Sequence, residues 1–154
     1  QEVNTGWDFS KAGQQALDLL NSSTKVDGIW TSGTDYTVVN AFKTLNKEPV
    51  PVIGADENGF IGQLLNDAAV KGAVVTNPAV SGGVGTRIAL DGRPGKTVDK
   101  RTVLKPERWY KTATDKLKAN YDADRQPTCS AATQVKPYTT YSNEQLTACK
   151  GPGE

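Results

Sequence analysis

This chain predicts an α/β fold: a doubly wound parallel sheet of about five strands, followed by a disulfide-pinned C-terminal extension. Three observations lead there. Short apolar runs alternate with amphipathic helical segments about every 22 to 25 residues over the first hundred positions. That is the rhythm of parallel strands joined by right-handed crossovers, with helices on both faces of the sheet. After Pro106 the alternation stops. The two cysteines, Cys129 and Cys149, both fall in the stretch beyond it, which is rich in Pro, Thr and Ser.

The elements follow in order. Residues 2–4 read as the end of a strand. Residues 8–20 read as a helix, with Phe9, Ala12, Ala16, Leu17, Leu19 and Leu20 largely on one face and Asp8 as N-cap. Residues 26–31 form a strand with Ile29 and Trp30 buried. Residues 35–46 form a helix directing Val38, Val39, Phe42 and Leu45 inward. Pro49 and Pro51 bracket the next edge, and 50–54 is a strand. Residues 59–67 give a short helix, 73–76 a strand, 81–90 a helix and 100–104 a last strand. Beyond Pro106, residues 107–120 read as a helix with Trp109, Ala113 and Leu117 on one side. The rest is a polar tail wrapped over the surface. The division is a ligand-binding lobe over 1–106 and a helix with irregular tail over 107–154.

Composition narrows the function. The chain has 154 residues, 36% of them apolar, which suits a single core. A net charge of +1 gives no electrostatic case for nucleic acid or an anionic membrane. No run approaches the ~20 apolar residues of a membrane-spanning helix. There is no His, so the commonest general base and metal ligand is missing, and no cofactor is expected. There is no Met, so Gln1 is expected to be a processed or excised end. Two thiols in a region with little core are expected to pair, closing a loop worth ~3 kcal/mol in an oxidising compartment. Two independent thiols are the competing reading.

Ligands of open parallel sheets bind beyond the carboxyl ends of the strands. Those loops hold Trp7 and Asp8, then Ser32, Gly33, Thr34 and Asp35, then Asp56, Glu57 and Asn58, then Asn77. Acids and amides engage neighbouring hydroxyls bidentately, and an indole offers a flat apolar face, so the set suits a polyol. Blander roles compete: Asp8 and Asp35 as helix N-caps, Trp7 as a core residue, Asp56 as a turn residue.

Several strings together resemble periplasmic sugar-binding proteins of the ribose-binding type. They are Val26-Asp27-Gly28-Ile29-Trp30-Thr31 with the helix ending Ala41-Phe42-Lys43-Thr44-Leu45, and Pro51-Val52-Ile53-Gly54-Ala55-Asp56-Glu57-Asn58-Gly59. Lys71-Gly72-Ala73-Val74-Val75-Thr76-Asn77-Pro78 and the Trp7-Asp8 start of the first helix complete the set. The resemblance spans about residues 1–105. It implies one C-terminal lobe of a type I binding protein, with Asp35, Asp56 and Asn77 as ligand groups. The loop before Asp35 is one residue longer than the commoner form, so Ser32 and Thr34 compete with Asp35 as contacts. The tail looks like the extended ends of sugar-binding lipoproteins of some Gram-positive bacteria.

The resemblance further implies non-covalent capture of a small sugar outside the cytoplasm, in the periplasm or on the cell surface, and delivery to ABC permease subunits. Such proteins close two lobes on the ligand. Two lobes need roughly 300 residues, so an N-terminal lobe is the expected partner of this one. A sugar-responsive transcription repressor shares the fold and is the alternative; a cytoplasmic regulator would not carry the disulfide. A hydrolase using Asp56 and Glu57 as a carboxylate pair is disfavoured, because adjacent residues rarely point the same way. The Gly-rich stretch 81–86 lacks the ending of a phosphate loop and is expected to serve tight helix–sheet packing. The basic cluster 96–101 is expected to be a solvated face.

Overall fold

The computed structural model describes residues 1–76, 80–93, 95, 97–131, 142, 144 and 145. In chain order these form α1 (Phe9–Asn21), β1 (Ile29–Trp30), α2 (Asp35–Thr44), β2 (Val52–Gly54), α3 (Asn58–Asn66), β3 (Gly72–Val75), α4 (Val80–Gly92), β4 (Arg108–Tyr110) and α5 (Thr114–Asn120). The strands make one open sheet in the order β1-β2-β3-β4. The first three are parallel and β4 runs antiparallel to β3.

Each element has a local cause. Asp8 caps α1, its carboxylate accepting from the Lys11 backbone N–H at 2.8 Å. Ala12, Ala16 and Leu20 repeat at four-residue spacing and bury one stripe of α1 against α2. Close approach of the two helices rests on Gly13, where a Cβ would stand 3.0 Å from Thr37 Cγ2. At the start of β3, Gly72 has φ +150° and lies so near the Val52 carbonyl that no side chain fits. The main core lies between the sheet and helices α2, α3 and α5. There Val39, Phe60, Ile61, Leu64 and Leu117 meet Val52, Val74 and Trp109.

The sheet differs from expectation at both ends. Residues 2–4 and 100–104 are not strands, so four strands are present among the described residues, not five. The final strand is instead 108–110, within the stretch expected to be helical, and the helix is confined to Thr114–Asn120. Trp109 explains the choice. In β4 its ring is buried against Val74 and Leu117, and its indole N–H donates to Glu107 Oε2 at 2.9 Å. An indole buries far more apolar surface than Val103 or Leu104 could, and Val103 stays exposed.

The two faces of the sheet are unequal. Val52, Gly54, Val74 and Trp109 face the helices. Trp30, Ile53 and Tyr110 lie in the opposite cross-strand row and are exposed, Trp30 by 76%. Trp30 was expected in the core. It lies instead on the face that α2 and α3 do not reach.

Candidate ligand-binding edge of the sheet

At the carboxyl ends of β1 and β2 the chain turns into α2 and α3, and both turns carry acids. Asp35, the first residue of α2, points inward. Its carboxylate accepts from the Thr31 hydroxyl and, at 2.9 Å, from the Ala55 N–H. Glu57 precedes α3, and its Oε2 accepts from the Tyr36 N–H at 3.0 Å. Each acid thus satisfies a backbone donor of the neighbouring βα turn. Both are buried, Asp35 completely. Burial pushes Asp35 upward from its ordinary value. It pushes Glu57 to about 7, with the negative charge of Asp35 adding to the effect. Each acid, buried beside the other, favours its protonated form.

Asp56 lies between them in sequence and is also fully buried. A segment of the C-terminal tail covers it. Ala131 N–H donates to the Asp56 carbonyl at 2.6 Å, and Glu57 and Ser130 form an antiparallel bridge. The first N–H groups of α3 are taken by the same segment, Asn58 N–H by the Cys129 carbonyl (2.7 Å) and Gly59 N–H by the Pro127 carbonyl (2.8 Å). This explains why α3 needs no side-chain cap. The Asn58 amide donates to the carbonyls of Asp122 and Arg125 and accepts from the Asp122 N–H.

The accessible part of the edge is Trp7 with Ser32. Trp7 is 73% exposed rather than part of the core. Its indole N–H donates to the Ser32 carbonyl at 2.9 Å and to the Ser32 hydroxyl at 3.2 Å. Its backbone sits at φ +57°, a left-handed conformation that costs a non-glycine residue ~1–2 kcal/mol. The chain therefore holds an indole in a strained, solvent-facing position at the end of β1.

The expected site residues thus divide. Trp7 and Ser32 come together at the surface. Thr34, Asp35 and Asp56 are close in the fold but buried, where they organise the turns. Asn77 and Cys149 lie outside the described residues, and no free cysteine occurs among those described. The acids that the two turns bring together are Asp35 and Glu57. Both acids follow parallel neighbouring strands at equivalent places, and that placement was the available signal. Among the described residues the Gly-rich stretch does not serve tight packing: a Cβ at Gly82, Gly83 or Gly85 would meet none of their atoms within 4 Å. Among the described residues no group of acids or cysteines could hold a metal, and no helix is long and apolar enough to cross a membrane.

No family model and no curated protein matches the chain. Its fold is similar to that in a crystal structure of a protein from Mycobacterium smegmatis, with a TM-score of 0.54 and 19% identity. The match covers 71% of this chain and 38% of that one, so the chain spans well under half the length of its structural neighbour. At this identity the likeness establishes the class alone, an α/β fold with an open, mostly parallel sheet.

Proposed function

We propose that the chain is one lobe of a two-lobed, extracytoplasmic sugar-binding protein that serves an ABC importer. The observation that carries this reading is Trp7, an exposed indole held in a strained backbone conformation by two hydrogen bonds at the carboxyl end of a parallel strand. Strain kept at an accessible site is more often functional than structural. A flat ring there suits the C–H face of a pyranose, and the Ser32 hydroxyl beside it suits a sugar hydroxyl. In the conformation described, the ligand meets Trp7 and Ser32 directly. Asp35, Thr34 and Asp56 hold the loops from beneath, and Asn77 is a further ligand group on the resemblance alone. A second lobe supplies the opposing contacts and excludes water, and permease subunits take the loaded protein. A Cys129–Cys149 disulfide pins the tail. Capture is non-covalent. The buried Asp35–Glu57 pair offers no carboxylate to a substrate, which fits a receptor better than a hydrolase.

The test is a thermal-shift screen of the protein against monosaccharides, since a ligand that binds only the folded state raises the melting temperature. The reading expects one sugar or a small group to give a shift that Trp7→Ala removes. A uniform absence of shifts, or a shift that Trp7→Ala leaves intact, overturns it.

A further inference from the structure

Away from the sheet edge, a groove of about 410 Å³ runs between α3 and the segment 121–127. Two aromatic rings line it. The Tyr36 ring lies over Gly59 and the Tyr121 ring over Gly62, each so close that a Cβ on the glycine would come within 2.5 to 2.6 Å of a ring carbon. Its polar groups are incompletely matched. Arg125 is charged and its side chain only 9% exposed, yet its one ion pair among the described residues is a 3.8 Å contact from Nη2 to Asp122. Its Nε and Nη1 have no hydrogen-bond partner among the described residues. Gln63 donates its amide hydrogens to Tyr36 O and Asn40 Oδ1, but its Oε1 accepts from nothing among them. The other cation on the groove, Lys43, is already paired with Asp67 at 3.1 Å.

A buried guanidinium with unmet donors is costly, and so is a buried carbonyl oxygen with no donor. One kind of ligand relieves both. It needs an anionic planar acceptor for Arg125, which favours carboxylate geometry. It also needs a hydroxyl or ammonium hydrogen for Gln63 Oε1. A neutral polyol leaves the charge unmatched, and an all-acceptor anion such as sulfate leaves Gln63 unmatched. We infer that this groove is a second binding site, distinct from the sheet edge, for a small hydroxy- or aminocarboxylate.

Isothermal titration of the whole chain with lactate, malate and glutamate tests this, with propionate, sulfate and glycerol as comparisons. At least one of the first three should bind more tightly than about 1 mM and at least about tenfold better than every comparison compound. Arg125→Gln should abolish that binding in a protein whose circular dichroism is unchanged. Gln63→Leu should bring the preferred ligand and propionate to within a few-fold of each other. If Arg125→Gln does not fold, the decision falls to the wild-type selectivity and Gln63→Leu. No binding by the three hydroxy- and aminocarboxylates, equal binding of sulfate, or binding retained in folded Arg125→Gln each overturns the assignment, the first leaving the groove to ordered water.

Discussion

The Asp35 carboxylate occupies the space in which a side chain at residue 54 would sit: a Cβ on Gly54 would lie 2.3 Å from Asp35 Cγ. Gly54 ends β2 and Asp35 opens α2, so a missing side chain in one βα unit makes room for a buried acid in the preceding one. The string Val-Ile-Gly-Ala-Asp is therefore not only a strand end. Its glycine is the complement of an acid nineteen residues earlier.

Gly54→Ala should expel or tilt the Asp35 side chain and break its hydrogen bond to the Ala55 N–H. Overpacking of this kind costs about 1–3 kcal/mol. Urea denaturation of the variant should show a loss in that range, and a loss below about 0.5 kcal/mol would show that Asp35 can move freely.

The acids set how stability responds to pH. Glu57 is raised to about 7 in the fold, from an ordinary 4.5. Between those values the folded chain holds a proton that the unfolded chain has lost, so stability falls as pH rises through the window. Its contribution is full below about pH 4.5 and gone above pH 7, and its size is on the order of 2 kcal/mol. The raised Asp35 acts in the same direction. Glu107 acts oppositely. Lys116 and the Trp109 indole hold it below its usual range, so its contribution is lost as pH falls. The melting temperature should therefore peak in mild acid, and Glu57→Gln should flatten the fall between pH 5 and 7. A wild-type curve that rises across that interval would contradict the buried-pair description.

The parallel core was legible because β2 and β3 lie in continuous apolar runs, and because Asp8 stands where a capping carboxylate must. β4 was not legible. The segment 107–120 fits helical spacing, and Trp109 and Leu117 do share a core, but Trp109 reaches it from a strand paired with Val74. Local period is the same evidence for either outcome until the partner strand is known. The edge was half legible. Position placed Asp35, Asp56, Ser32 and Trp7 together, but Trp7 and Ser32 stay exposed while Asp56 is covered by a segment more than sixty residues downstream. Nothing in the local pattern announces that Asn58 binds the backbone of residues 122–125.

Trp7→Gly separates strain from function. Glycine adopts φ +57° without cost, which offsets the loss of the two indole hydrogen bonds to Ser32 at an exposed site. Stability should change by less than about 1 kcal/mol. Sugar affinity should drop at least tenfold, about 1.4 kcal/mol, because the apolar platform is gone. A large loss of stability with affinity unchanged would make Trp7 a structural clasp and remove the main support for the receptor reading.

The tail's attachment is the most exacting test of how the edge is built. The Asn58 side chain is buried and uses both amide hydrogens and its oxygen on the backbone of 122–125. In Asn58→Ala those carbonyls and the Asp122 N–H lose their partners while the covering chain still lies over them. The expected cost is about 2 kcal/mol, more than a surface hydrogen bond would contribute. The cost should also be local, because Phe60, Ile61 and Leu64 keep the body of α3 in the core. Hydrogen exchange should therefore accelerate first at Asn58 and Gly59, whose N–H groups rest on Cys129 and Pro127, and at Ala131, while β2 and β3 stay protected. Uniform acceleration across the sheet would instead mean that segment 122–131 folds with the core as one unit. Asp56 could then be uncovered only by unfolding the sheet as well.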